Sequence, residues 1–247
     1  LGTADANGEL LSGTALAQAA FNHAFGSFGS AFVAICLLFF AFSTIIGWYF
    51  FGETNVKALF HGKKAARVCY AAKGDGIMEF GLRRAQGPDA GIYGARAAVI
   101  AGCVGTSNVL TGQMFGVPVK GTHAHSWIMS FPDEYTAFKS YADLYPDACI
   151  LLVDTYDTLR SGVPNAIRVF KEMREKGIDL KGYGIRLDSG DLAYLTKKAR
   201  KMLDDAGFED AIISASSDLD EYLIDSLKTQ GAAITSWGVG TNLITSK

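Results

Sequence analysis

The first 56 residues lack lysine and arginine altogether, and from Leu10 to Gly52 there is no charged side chain of either sign. All 23 lysines and arginines of the 247-residue chain therefore lie after residue 56. One soluble domain rarely divides its charge in this way, because charged side chains normally cover its whole surface. The distribution argues against a single soluble fold and predicts two segments of different character.

The chain also lacks the marks of several protein classes. Its net charge is −2 rather than strongly positive, which argues against a nucleic-acid-binding surface. The four cysteines form no CxxC pair and have no Cys/His metal spacing; they are Cys36, Cys69, Cys103 and Cys149. We therefore expect the reduced, buried thiols of a cytoplasmic protein rather than a disulfide framework or a zinc site.

The uncharged segment contains one long apolar stretch, Ala31–Phe51, which is long enough to cross a bilayer as a helix. Trp48 and Tyr49 near its end suit the membrane–water interface, and basic residues follow from Lys57 onward. That asymmetry predicts a cytoplasmic C-terminal side. The alternative is a helix buried in a protein core. A signal peptide is disfavoured, because the start has no basic residue and the apolar run is too long.

Two stretches of this segment carry a resemblance, Ser12–Phe21 (SGTALAQAAF) and Phe40–Glu53 (FAFSTIIGWYFFGE). They resemble the sodium:alanine symporter family, and the resemblance covers about residues 1–60. It implies a membrane-helix fragment, with membrane contact through residues 31–51. Because transport needs several helices around a site at the bilayer midplane, this fragment alone would not transport an amino acid.

The rest of the chain alternates short apolar runs with amphipathic helical stretches. Five runs are predicted as strands: Val117–Lys120, Ala148–Val153, Tyr183–Leu187, Ala211–Ser214 and Ala233–Trp237. Four stretches are predicted as helices: Pro132–Tyr145, Pro164–Lys176, Leu192–Ala206 and Asp218–Lys228. Strands that alternate with helices predict an α/β fold with a parallel sheet or barrel.

A polar loop follows each predicted strand. These loops are Gly121–Ser126, Asp154–Asp157, Arg186–Asp191, Ser214–Glu221 and Gly238–Asn242. In parallel β/α architectures the carboxyl ends of the strands meet at one face, and active sites lie there. Five polar loops in phase with five strands therefore predict one shared site, which includes the closely spaced pair His123 and His125.

The carboxylates and glycines of these loops favour a phosphorylated ligand. Asp154, Asp188 and Asp191 can hold a hydrated Mg²⁺ ion or bond ribose hydroxyls. Gly238–Thr241 and the Ser/Asp run at 214–218 offer backbone N–H groups and hydroxyls to a phosphate.

The arginines and one aromatic residue add a second kind of ligand. Arg83, Arg84 and Arg186 can grip a carboxylate or phosphate through two hydrogen bonds. Phe80 can stack on a flat heterocycle, but it can equally be a core residue. The set points to a phosphorylated sugar, a metal and a small planar anion, and it leaves glycosyl transfer and phosphoryl transfer both open.

Seven ordered motifs carry a second resemblance. They are EFGLRRAQGPD (79–89), GTSNV (105–109), GTHAHS (121–126), VDTYD (153–157), RLDSGD (186–191), DLDEY (218–222) and WGVGT (237–241). Through them residues 64–246 resemble the nicotinate phosphoribosyltransferase family in its bacterial form. The resemblance implies a partial, irregular β/α barrel of the type II phosphoribosyltransferase kind. It implies that nicotinate and phosphoribosyl pyrophosphate give nicotinate mononucleotide and pyrophosphate, coupled to ATP hydrolysis through a phosphohistidine, in NAD biosynthesis.

The resemblance also implies roles for single residues. His125 matches the phosphorylated histidine, Asp154 the carboxylate that bonds its imidazole, and Asp188 a catalytic carboxylate near the ribose. Three further matches bind substrate at the ribose and the pyridine ring: Phe80, Arg83 and Arg186. The phosphate-binding residues predicted from the loop chemistry above are Ser216, Asp218, Gly238, Gly240 and Thr241.

Ser107 bears on the choice of substrate. The related nicotinamide enzyme carries an aspartate at the matching place, which suits an amide. An aspartate there would repel the carboxylate of nicotinate, because like charges at contact distance disfavour binding. Ser107 therefore favours nicotinate over nicotinamide.

The cofactors and partners come from the resemblance as well. It implies Mg²⁺, ATP as a co-substrate, and a homodimer in the intact enzyme. Among the loop carboxylates named above, Asp188 and Asp191 are the predicted metal ligands. The resemblance implies no nucleic-acid partner. The location implied is cytoplasmic for the enzyme part, and the membrane if the N-terminal segment is genuine.

The two resemblances together predict an apparent chimera, with a symporter-like fragment over residues 1–61 and a partial barrel over residues 62–247. The parts of the family's enzyme that precede Lys64 and follow Lys247 are expected to be missing. Ser217 also stands where the family often has asparagine. Three interpretations stay open: a phosphoribosyltransferase fragment, a symporter fragment, and a natural membrane-anchored enzyme.

Overall fold

A computed structural model describes residues 11–245, and it describes their side chains everywhere except over residues 47–63. The chain divides into two compact units, Leu1–Val56 and Lys57–Lys247. The predicted division lay a few residues later, between 61 and 62. Each unit has its own kind of structure.

The first unit is helical. Helix α1 spans Gly13–Phe25, and helix α2 begins at Phe28 and ends at Ala71, within the second unit. Its portion Phe28–Ile46 is long and apolar enough to cross a membrane, and only 11% of it is buried. One such helix is weak evidence for a membrane span, but its exposure does not fit the alternative of a buried core helix. The predicted interfacial residues Trp48 and Tyr49 lie outside the described side chains.

The second unit is built on a parallel sheet. Within the described residues the strands are β1 (Gly76–Glu79), β2 (Gly105–Thr106), β3 (Ile150–Leu152), β4 (Gly184–Leu187), β5 (Ile212–Ala215) and β6 (Ser236–Val239). Their order across the sheet is β2-β1-β6-β5-β4-β3, and every neighbouring pair is parallel. The α/β class with a parallel sheet is therefore confirmed.

Helices connect the strands. They are α3 (Pro88–Ile100), α4 (Val109–Phe115), α5 (His125–Met129), α6 (Glu134–Leu144), α7 (Val163–Glu175), α8 (Leu192–Asp205), α9 (Glu221–Thr229) and α10 (Thr241–Ile244). Short 3₁₀ turns occur at Leu82–Arg84 and Pro146–Ala148, and one π-helical turn at Thr158–Gly162.

Local sequence explains where these helices begin and end. The Asp191 side chain accepts the Tyr194 N–H and so caps α8, and the Asp220 side chain caps α9 in the same way. Such caps satisfy N–H groups that the first helical turn leaves free. Helix α8 stops before Gly207, whose φ of +79° suits the left-handed turn that follows.

The core lies between the sheet and these helices. Large side chains with almost no exposure fill it, namely Phe138, Phe170, Phe208 and Trp237. The Trp237 indole N–H donates to Asp75 Oδ2 at 2.9 Å, so the buried ring leaves no unpaired donor. The carboxylate of Asp75 also forms an ion pair with Lys228. This packing fixes the start of β6 beside the start of β1.

Three sequence predictions of elements need correction. The predicted strand Ala233–Trp237 is β6, which begins three residues later, at Ser236, and ends at Val239. The predicted strand Val117–Lys120 is a loop in which only Val119 forms an isolated bridge, to Thr106. The predicted helix Asp218–Lys228 begins three residues late, at Glu221, because Ser217 and Asp218 adopt positive φ angles of 101° and 46°. Strands β1 and β2 were not predicted, since four and two residues show too little alternation to be recognised.

Candidate active site

Sheet register brings side chains from four strands to one face. Arg186 pairs with Ser214, Ser214 with Ser236, and Met78 with Gly238. Because side chains alternate along a strand, partners in register point to the same side of the sheet. The next position of the same phase, beyond each strand end, is occupied by Phe80, Asp188, Ser216 and Gly240. The period of two therefore directs these residues toward a common site.

A pocket of about 260 Å³ lies at this carboxyl edge of the sheet. It is lined by Phe80, Arg83, Arg84, Arg186, Asp188, Ser216, Ser217, Asp218, Gly238, Gly240 and Thr241. Every predicted substrate- or phosphate-binding residue except Ser107 is among them. Sequence motifs from four separate loops are thus brought into one cavity.

Arg186 is the most strongly held residue of this pocket. Its guanidinium donates to Ser216 Oγ at 2.8 Å through Nε, to Thr122 Oγ1 at 2.8 Å through Nη1, and to Asp188 Oδ1 at 3.0 Å through Nη2. Ser216 also hydrogen-bonds Asp188. Three partners fix the plane of the guanidinium, so a positive, planar group is presented to the pocket in one orientation.

Phe80 lies between this guanidinium and the glycines of β6. The Arg186 Cζ atom is 5.3 Å from the centroid of the Phe80 ring. A Cβ atom on Gly238 would lie 2.6 Å from the same ring, so only glycine lets the aromatic ring approach the strand this closely. Phe80 is half-buried and lines the pocket, which favours a ligand-contacting residue over a core residue.

The loop after β5 carries backbone strain. Ser217 and Asp218, both at the pocket, have the positive φ angles given above, which cost on the order of 1–3 kcal/mol each for non-glycine residues. The side chain of Asn242 donates to the Asp218 carbonyl at 2.7 Å and helps to hold this conformation. Strained residues of this kind concentrate at ligand sites.

A second group of residues surrounds His125, the first residue of α5. Its Nε2 lies 3.1 Å from Asp154 Oδ1, and the Asp154 side chain is only 2% exposed. The other oxygen of Asp154 accepts the Asp188 N–H at 2.8 Å and the Ser189 hydroxyl at 2.6 Å. His125 does not line the pocket, but Asp154 connects its imidazole directly to the backbone of a residue that does.

His123 differs from His125 in its exposure and in its hydrogen-bond partner. It is buried, its Nε2 accepts the Leu152 N–H at 3.2 Å, and its ring meets Tyr141 edge-on at 4.6 Å. Burial lowers the His123 pKa to about 4, with nearby Arg186 and His125 adding to the effect. The neutral ring is thus a structural acceptor for the edge strand β3, and it lines a second, partly open cavity of about 880 Å³.

Two predicted residues lie elsewhere. Ser107 follows β2, and its N–H donates to the Glu79 carbonyl at 3.0 Å. The carboxylate of Asp191 caps α8, and Asp191 is not among the residues that line the pocket. The described residues contain no cluster of three or more His, Cys, Asp or Glu side chains suited to a metal. Of the two predicted metal ligands, only Asp188 faces the pocket.

Sequence reasoning missed two residues that support the site. Thr122 accepts a hydrogen bond from Arg186, although its motif was attributed to the histidines beside it. Glu79 is completely buried, and burial raises the pKa of its carboxyl. A charged residue at the end of an apolar strand was the signal that could have found Glu79.

Comparisons with known proteins divide the chain in the same sense as its composition. The model of the sodium:alanine symporter family matches residues 2–77, and the model of the nicotinate phosphoribosyltransferase (NAPRTase) family matches residues 76–246. The two predicted resemblances are thereby supported, and the second covers most of the chain.

Relatives of the second segment are similar in sequence and structure. The Bacillus subtilis (strain 168) nicotinate phosphoribosyltransferase is 60% identical over 182 residues, which are 74% of this chain and 36% of the relative. The crystal structure of human nicotinic acid phosphoribosyltransferase matches with a TM-score of 0.67 and 31% identity, over 74% of this chain and 47% of that one. The crystal structure of nicotinate-nucleotide pyrophosphorylase from Pyrococcus furiosus matches with a TM-score of 0.65 and 28% identity, over 76% and 47%.

The chain therefore spans less than half the length of these relatives. A family model that covers residues 76–246, a close bacterial relative and the matching parallel sheet nevertheless agree. On this combined evidence of sequence and fold, the chain belongs to the nicotinate phosphoribosyltransferase family.

Proposed function

We propose that the second unit is the substrate-binding core of a nicotinate phosphoribosyltransferase. It would join nicotinate to the ribose of phosphoribosyl pyrophosphate, release pyrophosphate, and so contribute to NAD biosynthesis in the cytoplasm. The observation that carries the proposal is the pocket of about 260 Å³, where a fixed guanidinium, an aromatic ring and a glycine-lined strand end meet. These groups suit a flat anion and a phosphorylated sugar better than an uncharged ligand.

Nicotinate would lie against the Phe80 ring. Its carboxylate would be bound by arginine, which offers two parallel N–H donors to a carboxylate. The position of Arg83 suits this role, because it lies on the 3₁₀ turn that follows Phe80 and lines the same pocket. Ser107 lies outside the pocket lining, on a loop whose Ser107 N–H bonds the Glu79 carbonyl directly before Phe80. Its uncharged side chain brings no negative charge to that neighbourhood, which would favour nicotinate over nicotinamide.

The phosphorylated sugar would occupy the opposite wall of the pocket, formed by Ser216, Asp218 and the β6 end with Gly238, Gly240 and Thr241. Gly240 lies close against the Phe80 carbonyl, where a Cβ atom would be only 3.1 Å away. Backbone that is free of side chains can approach a phosphate closely and offer its N–H groups. The Ser216 hydroxyl adds a polar group at the same wall.

In the proposed reaction the ring nitrogen of nicotinate attacks C1 of the ribose while pyrophosphate leaves. Positive charge develops on the sugar in such a transition state, and the Asp188 carboxylate faces the pocket where it can stabilise that charge. Arg186 holds Asp188 in place at 3.0 Å, so little reorganisation accompanies the step.

We propose Asp188 as a carboxylate that would hold a magnesium ion at this site. Mg²⁺ is usually held by one or two carboxylates together with substrate phosphates, and Asp188 alone among the two predicted ligands faces the pocket. When bound, the ion would neutralise charge on the pyrophosphate group. We therefore propose Asp188 as the magnesium ligand and do not propose Asp191, whose carboxylate caps helix α8.

We further propose that His125 is the residue phosphorylated by ATP. Its Nε2 is directed at Asp154, which would leave Nδ1 as the nucleophile toward the γ-phosphoryl group. The ring is 39% exposed and can therefore be reached by a nucleotide. Because Asp154 also bonds the Asp188 N–H, a change at His125 would be transmitted to the sugar-binding residue.

The N-terminal segment has a second candidate function. The symporter family model matches residues 2–77, and residues 28–46 form an exposed apolar helix. We propose that this segment is a symporter-type membrane fragment. Sodium-dependent alanine uptake by proteoliposomes that contain the chain would test whether it retains transport, and no uptake is expected from so few helices.

For the enzyme segment we propose the homodimer implied by its family.

The test of the enzymatic proposal uses the full chain, purified in a mild detergent. Calorimetric titration should detect binding of nicotinate and of phosphoribosyl pyrophosphate to the chain, and nicotinamide should bind more weakly than nicotinate. Product formation from radiolabelled nicotinate, with and without ATP, then measures turnover. If the chain bound neither substrate, the result would contradict the proposal. Binding of the substrates without turnover would show that the site is present but incomplete.

A further inference from the structure

Glu79 is a carboxylate with no exposed surface, located at the end of β1 between β2 and β6. Burying a carboxylate costs several kcal/mol unless hydrogen bonds compensate, as reflected in the raised pKa of Glu79. A hydrophobic residue would fill this position at lower cost. The reason for a carboxylate should therefore be found in its partners.

Both oxygens of Glu79 accept hydrogen bonds from neutral donors. Oε1 accepts the backbone N–H of Gly81, and Oε2 accepts the Thr106 hydroxyl at 2.6 Å. The Thr106 oxygen in turn accepts the Asn108 N–H at 2.9 Å. In addition, the Glu79 carbonyl accepts the Ser107 N–H at 3.0 Å. One residue thus binds the loop after β1 to the loop after β2.

These two loops carry the residues that are proposed to recognise the pyridine ring. Phe80 and the turn Leu82–Arg84 belong to the first loop, and Ser107 to the second. The fit around Glu79 is close, since a Cβ atom on Gly81 would lie 2.7 Å from its Oε1. A shift of the carboxylate would therefore displace the loop that follows it.

The present hydrogen bonds of Glu79 use an acceptor at both ends. A carboxylate only accepts, whereas a glutamine side chain offers one accepting oxygen and one donating NH₂ group. Since Gly81 N–H can only donate, a glutamine must place its oxygen there and its NH₂ group toward Thr106. The Thr106 hydroxyl would then have to rotate and give up its present bond to Glu79.

We propose that Glu79 is a positioning residue, which sets the spacing between the Phe80–Arg83 loop and Ser107 and thereby the recognition of the carboxylated ring. The inference rests on the proposed function for the identity of the ligand. Glu79 does not line the pocket, so its effect is exerted through Gly81 and Thr106.

The test compares Glu79→Gln with Glu134→Gln in the full chain. Glu134 is the matched control, because it is also a buried carboxylate with a raised pKa, but it bonds Ser161 and Asn165 away from the pocket. We expect Glu79→Gln to weaken nicotinate binding about 10-fold, while pyrophosphate binding changes less than about 2-fold. Glu134→Gln should leave the binding of both ligands within about 2-fold of the unchanged chain.

The positioning role would be overturned if Glu79→Gln lost affinity equally for nicotinate and for pyrophosphate. It would also be overturned if Glu134→Gln lost as much affinity for nicotinate as Glu79→Gln does. If the unchanged chain binds neither ligand, the proposed function fails. The role of Glu79 in holding the two loops is then tested independently of any ligand, by amide hydrogen exchange. Faster exchange in Glu79→Gln confined to residues 80–84 and 105–108 would support it. Unchanged exchange there, or faster exchange throughout the sheet, would contradict it.

Discussion

Replacing Arg186 with lysine tests whether the guanidinium organises the pocket. The substitution keeps the positive charge but removes the planar fork, whose three donors bind Ser216, Thr122 and Asp188 at 2.8 to 3.0 Å. A lysine ammonium on a flexible stem can replace one of these contacts. The other two partners would lose their donor in a site where the arginine side chain is only 15% exposed.

The expected cost follows from the lost hydrogen bonds. Each net hydrogen bond contributes about 1 kcal/mol, and one to a charged partner contributes more, so two losses amount to about 2–3 kcal/mol. For a unit of this size, 1 kcal/mol shifts the melting temperature by about 2–4 °C. Arg186→Lys should therefore melt roughly 4–12 °C below the unchanged chain.

The measurement is thermal unfolding of the full chain in detergent, followed by circular dichroism. Arg160→Lys is the control, because Arg160 is 90% exposed and its ion pair with Asp157 is long, at 4.0 Å. An exposed pair of this kind contributes little, so the control should melt within about 1 °C of the unchanged chain. If Arg186→Lys melted as the control does, the three-partner arrangement would not be what holds this pocket together.

Three further substitutions or treatments test other parts of the second unit. Asp154→Asn should lower labelling of His125 by radioactive ATP about 10- to 100-fold, because the imidazole loses a charged partner; equal labelling would remove the proposed role of Asp154. The low pKa of His123, about 4, means that the unfolded chain binds more protons between about pH 4 and 6.5, so stability falls as pH falls through this range. His123→Gln should flatten that part of the stability–pH curve, and a curve of unchanged slope would refute the assignment. Iodoacetamide at pH 8 should modify Cys69 before Cys103, whose pKa is raised by its contact with Cys69 and by burial; mass spectrometry of peptides with the reverse order would contradict this.

Four helices of the second unit, α6 to α9, were predicted from the sequence, whereas α3, α4, α5 and α10 were not. Helices α7 and α8 show an apolar residue every three or four positions, and this pattern depends only on the geometry of one segment. The polar loops were predictable for the same reason, since each directly follows an apolar run. The proposed site residues in those loops could be named because they belong to long, ordered motifs.

The shortest elements were not predictable. Strand β1 lies inside the sheet, between the edge strand β2 and β6, yet its four residues are no more strand-like than many loops. It becomes a strand because β2 and β6 on either side supply its hydrogen bonds. The predicted strand Val117–Lys120 failed for the opposite reason, since its backbone pairs only at a single bridge, through hydrogen bonds of Pro118 and Lys120 with Thr106.

The sequence by itself determined the division into an uncharged and a charged segment, the α/β class, and the membership of the second segment in its family. Only the tertiary structure decided that His123 is buried while His125 is accessible, that Asp188 faces the pocket while Asp191 caps a helix, and that Glu79 joins two loops. Composition and periodicity act over neighbouring residues. The surroundings of a side chain depend on strands far apart in the chain, which meet only when the sheet forms.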